Sequence, residues 1–347
     1  MRARRKEKRT VRVAINGFGR IGRTVLRILA ERKDVEVVAI NDIADNQGLV
    51  YLFKYDTVMG TFGGAIALED DIFRVNHHRI RMTAIPEVEK LPWKELGVDF
   101  VVEATGRFRT RAEIGRHLDA GAGRVILTVP AKDEIDATVV LGVNDHVLKP
   151  EHRLISNASC TTNCLAPVAK VLDERFGIVK GIMTTVHAYT NDQRLADVPH
   201  KDLRRSRAAA ENIIPTTTGA AKAVGKVLPS LQGKLDGLAM RVPVPDGSTV
   251  DLVTEMAKPV TVEAVNAAIA EAAAGPMRNI LEYTSEPIVS SDVIGNSHSS
   301  IFDALSTAVL GDRLLKTISW YDNEWGYSSR VVDLMERLAK VPVGAAG

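Results

Sequence analysis

The sequence predicts an α/β chain in two parts: a doubly wound parallel-sheet domain, then an α+β domain with a mixed or antiparallel sheet. Three observations carry this prediction. Apolar runs at residues 11–15 (VRVAI) and 35–40 (VEVVAI) flank a glycine-patterned turn and a helical run. Strand and helix patterns go on alternating through residues 98–129. Near Cys160 the rhythm changes, and strand patterns then follow one another with few helices between them.

Taken in order, the first strand leads into Asn16-Gly17-Phe18-Gly19-Arg20-Ile21-Gly22 and a helical run carrying Val25, Leu26, Leu29 and Ala30. The second strand ends at Asn41-Asp42. Strand, Gly-x-Gly-x-x-Gly, helix, strand, acid is the order a Rossmann-type dinucleotide site needs. Gly17 permits the tight turn, Gly19 lets backbone approach a pyrophosphate, and Gly22 lets helix pack on strand. The helix N-terminus holds the phosphates, and Asp42 accepts from the adenosine ribose hydroxyl. A carboxylate there repels a 2′-phosphate, which favours NAD over NADP. Further strands are expected at residues 98–104 (VDFVVEA) and 124–129 (RVILTV), with a helical run through His117-Leu118 between them.

Residues 153–155 read as extended, and Leu165, Val168, Leu172 and Phe176 repeat at helix spacing. Between them Ser159 is a competent N-cap, which places Cys160 in the first turn of a helix. The positive end of the helix dipole and unpaired N–H groups there favour a thiolate. Strand candidates follow at residues 179–190, 237–245, 248–257 and 314–320, with an alanine-rich helix at 262–274. A long polar stretch between Thr190 and Arg207 carries Arg194, Lys201, Arg204 and Arg205; loops of this length are functional or interfacial. Val331, Leu334, Met335 and Leu338 mark a final amphipathic helix.

Composition sets the outer bounds. The 347 residues suffice for two cores, and the mix of 45% hydrophobic and 25% charged residues is that of an ordinary globular protein. A net charge of +2 gives no reason to expect a specific nucleic-acid partner. The dense charge run at residues 1–9 (MRARRKEKR) reads as a basic tail with no apolar segment behind it, so it is not a secretory signal. No stretch reaches the roughly eighteen apolar residues of a membrane span. Cys160 and Cys164, four apart on one helix, do not suit a structural disulfide, which places the chain in the cytoplasm.

Five stretches together resemble the phosphorylating glyceraldehyde-3-phosphate dehydrogenases: NGFGRIGR (16–23), SNASCTTNCLA (156–166), TTVHA (184–188), NIIPTTTGAAKAVG (212–225) and WYDNEWGYS (320–328). The likeness runs from Val11 to about Leu338. It implies a dinucleotide domain of residues 1–159 completed by a C-terminal helix at 324–347, and a catalytic domain at 160–323. It implies that Cys160 attacks the aldehyde carbon and that His187 is the base, its imidazolium also stabilising the thiolate. Oxidation would leave a thioester, which inorganic phosphate would cleave to an acyl phosphate. By the same resemblance Thr190 and Arg241 hold the substrate phosphate, while Ser159, Thr161, Thr218 and Gly219 surround the attacking one. Gly17, Gly19, Arg20, Ile21, Gly22, Asp42 and Thr128 would bind NAD, with Asn323 on the nicotinamide carboxamide. No metal is implied. A homotetramer is, with the arginine-bearing loops near neighbouring cofactor sites.

Val198-Pro199 matches NAD-preferring members of the family. One departure stands out: an arginine usual near the adenine is absent, and the corresponding stretch before Trp93 is Ile85-Pro86-Glu87-Val88. Two alternatives compete with this reading. Erythrose-4-phosphate dehydrogenases share the scaffold but depart from the Thr-Thr-Thr-Gly segment and the Thr-Val-His-Ala context, both intact here. A non-catalytic NAD-binding relative would be expected to lack Cys160, His187 or Arg241, and all three are present.

Overall fold

The computed structural model describes residues 10–340; the basic run at 1–9 and the last seven residues of the expected 324–347 helix lie outside the described residues. The chain divides into two compact units. The first runs to Ala137 and adds Leu148–Asn157 and the residues from Val331 on; the second is Thr138–Val147 with Ala158–Arg330. Residues 138–147 therefore count with the second unit.

The first unit is built from β1 (Val11–Asn16), α1 (Arg20–Leu29), β2 (Val35–Asn41), α2 (Asn46–Lys54), β3 (Ile66–Glu69), β4 (Ile72–Val75), β5 (His78–Thr83), β6 (Phe100–Glu103), α3 (Arg111–Asp119), β7 (Arg124–Leu127), the two-residue β8 (Ala137–Thr138) and β9 (Leu154–Ser156). Its sheet runs β3-β4-β5-β2-β1-β6-β7-β9-β8. The pairs from β5 through β9 are parallel. Covered on both faces, these strands carry continuous apolar runs; Val13, Ala14 and Ile15 are fully buried. The meander β3–β5 pairs antiparallel at the edge. Motif reading leaves it unassigned, because its strands are short and only one face is apolar, as β5 shows in its alternating burial.

The second unit holds α4 (Cys160–Phe176), β10 (Ile178–Ala188), β11 (Ile214–Thr217), α5 (Ala220–Val227), β12 (Leu235–Val242), β13 (Ser248–Met256), α6 (Val262–Ala274), β14 (Leu281–Thr284), β15 (Ser300–Leu310), β16 (Leu314–Tyr321) and the start of α7 (Trp325–Ala339). The sheet order is β11-β12-β10-β13-β16-β15-β14. It is mixed: β10–β12 and β14–β15 are parallel, and the remaining pairs antiparallel. One face buries Met183, Val250, Leu252, Phe302 and Leu315 against Leu165, Leu172, Val224 and Ile269 of the helices. Each such side chain contributes about 1.5–3 kcal/mol. Strand alternation leaves Ile182, Leu238 and Leu305 on the solvent side, 66%, 41% and 61% exposed.

Candidate active site

In the first unit the turn after β1 is shaped by its glycines. Gly17 adopts φ +93, and a Cβ there would lie 2.6 Å from the Thr105 nitrogen. A Cβ on Gly22 would meet the Gly17 carbonyl at 2.1 Å, so only glycine lets α1 start this close to β1. A Cβ on Gly19 would meet nothing within 4 Å: this backbone is open to a ligand. Gly19 is also the N-cap of α1 and brings no side-chain cap, so the positive end of this helix faces the glycine turn. Asp42 is held by backbone: its Oδ2 accepts from the Phe18 N–H (2.7 Å) and its Oδ1 from that of Ala44 (3.0 Å). Gly17, Gly19 and Asp42 line a cleft of about 210 Å³ with Ile43, Ile85, Pro86, Thr105, Arg107 and Phe108. An open backbone cradle with a fixed carboxylate twenty or so residues on fits a dinucleotide.

Of the other expected cofactor residues, Arg20 turns its guanidinium to Asp56 and Ile21 is half-buried. Thr128, buried at the end of β7, donates to the Glu103 carbonyl at 2.9 Å.

Cys160 is the first residue of α4, and Ser159 caps the helix by accepting from the Thr162 N–H at 3.1 Å. The residue before the cap, Ala158, is buried and has φ +54, a strained conformation for alanine. Its carbonyl accepts from the Tyr327 hydroxyl (3.2 Å). The sulfur of Cys160 lies 3.5 Å from His187 Nε2. His187, on β10, stands in register with Arg241 on the parallel neighbour β12. Arg241 Nη1 is 2.6 Å from His187 Nδ1 and donates to the Ala188 carbonyl at 3.0 Å. Its Nε is buried with no hydrogen-bond partner among the described residues. A half-buried guanidinium with an unused donor is suited to an incoming anion.

Electrostatics corrects one expectation. Burial, with the Arg241 cation beside it, drives the His187 imidazole down to about 3, so an imidazolium is disfavoured in the resting site. Burial also pushes the Cys160 thiol up, and the leading group opposing it is Arg241. The positive charge that favours a thiolate here is therefore guanidinium, which keeps its proton at any working pH. The second cysteine, Cys164, is fully buried and pushed up to about 12, which leaves it inert as a nucleophile.

Tyr321, which motif reading did not assign a role, ties the pair together. Its hydroxyl bonds those of Thr161 (2.8 Å) and Thr185 (2.9 Å), and its ring meets the His187 ring edge-on at 5.9 Å. Thr161 is thus buried with its hydroxyl engaged. Asn323 is fixed through Ser248, whose hydroxyl donates to Asn323 Oδ1 at 2.6 Å and accepts from the Ala188 N–H at 3.0 Å. That leaves the Asn323 amide nitrogen for a ligand. Beneath lie two buried carboxyls. Asp322 accepts from the N–H groups of Gly295, Glu324 and Trp325, and Asp246 is pushed up to about 9 by burial and by Asp322.

Two anion-suited corners adjoin. Thr218-Gly219 precede α5; a Cβ on Gly219 would meet nothing within 4 Å, and the Thr218 hydroxyl accepts from the Ala220 N–H at 3.2 Å. Thr190 donates to Asp192, which also accepts from Arg205. Arg205 lies close enough to feel the Arg241 charge. Its place here was not legible, since nothing in the charge run distinguishes it from Arg204 or Arg207.

The family described as "Glyceraldehyde 3-phosphate dehydrogenase, NAD binding domain" matches residues 11–111, and "Glyceraldehyde 3-phosphate dehydrogenase, C-terminal domain" matches 159–323. The glyceraldehyde-3-phosphate dehydrogenase of Geobacillus stearothermophilus is 58% identical over 330 residues, 95% of this chain and 98% of that protein. The chain belongs to the glyceraldehyde-3-phosphate dehydrogenase family. Other curated relatives agree: the Mycolicibacterium smegmatis protein of that name is 55% identical (95% of this chain, 99% of that one). Glyceraldehyde-3-phosphate dehydrogenase 2 of Streptomyces avermitilis is 54% identical (94% and 97%). As a member of this family the chain is an NAD-dependent oxidoreductase.

Proposed function

We propose that this chain oxidises D-glyceraldehyde 3-phosphate with NAD and inorganic phosphate to 1,3-bisphosphoglycerate, with Cys160 as nucleophile and His187 as base. The observation that carries the reading is the sulfur at the start of α4, 3.5 Å from a buried imidazole nitrogen. The Cys160 proton passes to His187 Nε2 while sulfur bonds the aldehyde carbon, and His187 hands that proton to the carbonyl oxygen, giving a thiohemiacetal and a neutral imidazole. Bound NAD supplies the hydride acceptor. As the C–H hydride departs, His187 removes the hydroxyl proton and a thioester remains on Cys160. An oxygen of inorganic phosphate then attacks that carbon, the C–S bond breaks, and Cys160 leaves as thiolate beside the Arg241 cation.

The crowding at His187 Nδ1 supports a role for Arg241 on the substrate phosphate. The Ala188 carbonyl, 2.7 Å away, can only accept, and the guanidinium can only donate, so Nδ1 serves one of them at a time. A phosphate that draws Arg241 away, with Thr190 beside it, leaves Nδ1–H on Ala188 and the Nε2 lone pair facing sulfur. That is the tautomer a base needs. Ser159, Thr161 and the Thr218-Gly219 turn are read as the seat of the attacking phosphate, and Asn323 as the anchor of the nicotinamide carboxamide. Gly17, Gly19, Gly22 and Asp42 hold the dinucleotide, Arg20 and Ile21 shape its turn, and Thr128 steadies the strand end below it. We take residues 1–159, with the helix from 324, as the cofactor domain and 160–323 as the catalytic one.

A homotetramer fits the apolar solvent face of the second sheet, where Ile182, Leu238 and Leu305 stand exposed. A cytoplasmic setting fits two free cysteines. No helix among the described residues is long and apolar enough to cross a membrane. NADH formation from glyceraldehyde 3-phosphate with and without phosphate tests the reaction. Steady turnover requires phosphate; turnover that ignores it overturns the acyl-phosphate step.

A further inference from the structure

The dinucleotide cleft is short of positive charge, and one side chain supplies it. Ile43, Ile85, Pro86, Val88 and Phe108 make its apolar wall, and Asp42 puts a carboxylate in it. Among the described residues lining it, Arg107 is the one cation. The nearby Arg20 is engaged by Asp56. Arg107, by contrast, is exposed, and its guanidinium makes no hydrogen bond or ion pair among the described residues.

The base of Arg107 is fixed even though its head is free. Its N–H donates to Thr105 Oγ1 at 3.1 Å. Thr105 in turn donates its N–H (2.9 Å) and its hydroxyl to Glu103 Oε1. The other oxygen of that buried carboxylate accepts from Asn16 (2.6 Å) and pairs with His117 Nε2 (2.9 Å). The Trp93 indole N–H can only donate, and it donates to His117 Nδ1 at 2.9 Å, so the ring proton sits on Nε2 and points at Glu103. A chain from buried Trp93, His117 and Glu103 to half-buried Thr105 thus anchors the backbone of Arg107 where it lines the cleft. Gly106, at φ +68, makes the turn between Thr105 and Arg107.

Resting on the dinucleotide reading of this cleft, we propose that Arg107 is its specificity-setting cation. It grips the phosphates of the adenosine half, and it is the counter-ion waiting for a 2′-phosphate that Asp42 now repels. Selection for NAD in this chain is then a balance between two charges, Asp42 against and Arg107 for the extra phosphate.

The test is a double-mutant cycle read by calorimetric binding of ADP-ribose and of 2′-phospho-ADP-ribose, without turnover. Arg107→Gln is expected to weaken ADP-ribose about five-fold, and Arg107→Lys to recover most of the loss. Asp42→Ala is expected to admit the 2′-phosphate ligand at least about ten-fold better. Adding Arg107→Gln to that variant removes most of the gain, a larger loss than for ADP-ribose. Equal weakening of the two ligands, or no effect of Arg107→Gln, overturns the proposal. Failure of the unaltered protein to bind ADP-ribose at all sinks the dinucleotide reading itself.

Discussion

The cofactor cleft and the catalytic pocket are built in opposite ways. The cleft pairs the open backbone of the glycine turn at Gly17 and Gly19 with the strand end at Asp42, and later segments close it with apolar side chains. The catalytic pocket is made of side chains from α4, β10, β12 and β16 of one unit, with His187 and Tyr321 buried and Cys160 and Arg241 half-buried. The difference teaches where each site is vulnerable. A backbone site breaks when a side chain is added; a side-chain site breaks when one is taken away or its charge is changed.

The largest effect expected is on Cys160. Cys160→Ser keeps a side chain of similar shape but replaces the thiol by a hydroxyl and loses the thiolate, and turnover should fall by about 10⁴-fold or more while ADP-ribose binding in the other unit stays unchanged. Steady-state rates with calorimetry check both halves of that statement. Next comes Arg241→Gln. Loss of the buried cation should raise the KM for glyceraldehyde 3-phosphate by about 10²-fold. It should also move the pH midpoint of Cys160 alkylation by iodoacetamide upward, because Arg241 is the leading group pulling that thiol down.

The comparison extends to pH. In the catalytic unit Asp246 has a folded-state value raised to about 9, so the folded chain keeps a proton that the unfolded chain gives up above about 4. Stability from this group is complete in acid and is lost progressively as pH climbs toward 9. Asp246→Asn, which mimics the protonated form, should flatten urea midpoints measured between pH 6 and 9; an unchanged slope would count against a proton held on Asp246 in the folded chain. His187 acts in the other direction. Its value, lowered to about 3, makes the unfolded chain the better proton acceptor below about 6.5, so stability falls as pH drops through that window.

In the cleft the matching test adds a methyl group. Gly22→Ala sets a Cβ 2.1 Å from the Gly17 carbonyl and should cost about 1–3 kcal/mol of stability together with dinucleotide affinity. Cys160 alkylation should be untouched. The smallest effect is expected of Tyr321→Phe, about 1–2 kcal/mol in thermal or urea unfolding, from the two hydroxyls left unbridged. A modest fall in kcat should accompany it, because the ring against His187 loses the two hydrogen bonds that tether it.

The same contrast explains what could be read in advance. The glycine turn, Asp42 and the capped helix start at Cys160 were legible because each is a local pattern whose physics acts within a few residues. The strands of the second unit were legible as apolar alternation, but their pairing was not. His187 faces Arg241 only because β10 and β12 run parallel in one particular register, across 54 positions of sequence. Tyr321 and Ser248 owe their places to such a pairing, Asp246 and the Arg205–Asp192 corner to loops between strands, and the positive φ of Ala158 belongs to a residue type that does not announce it. The imidazolium expected beside the sulfur gave way for the same reason, since burial and a neighbouring guanidinium are properties of the packed chain. Family resemblance named His187 and Arg241; it could not reveal that Arg241 and the Ala188 carbonyl compete for one ring nitrogen of His187.

The most direct test of the account is a rapid-mixing experiment with NAD and glyceraldehyde 3-phosphate in the complete absence of phosphate. The account predicts a burst of NADH of at most one equivalent per chain, an acyl adduct on the Cys160 peptide by mass spectrometry, and resumed turnover when phosphate is added. Continuous NADH production without phosphate, or an equal burst from Cys160→Ser, would contradict it.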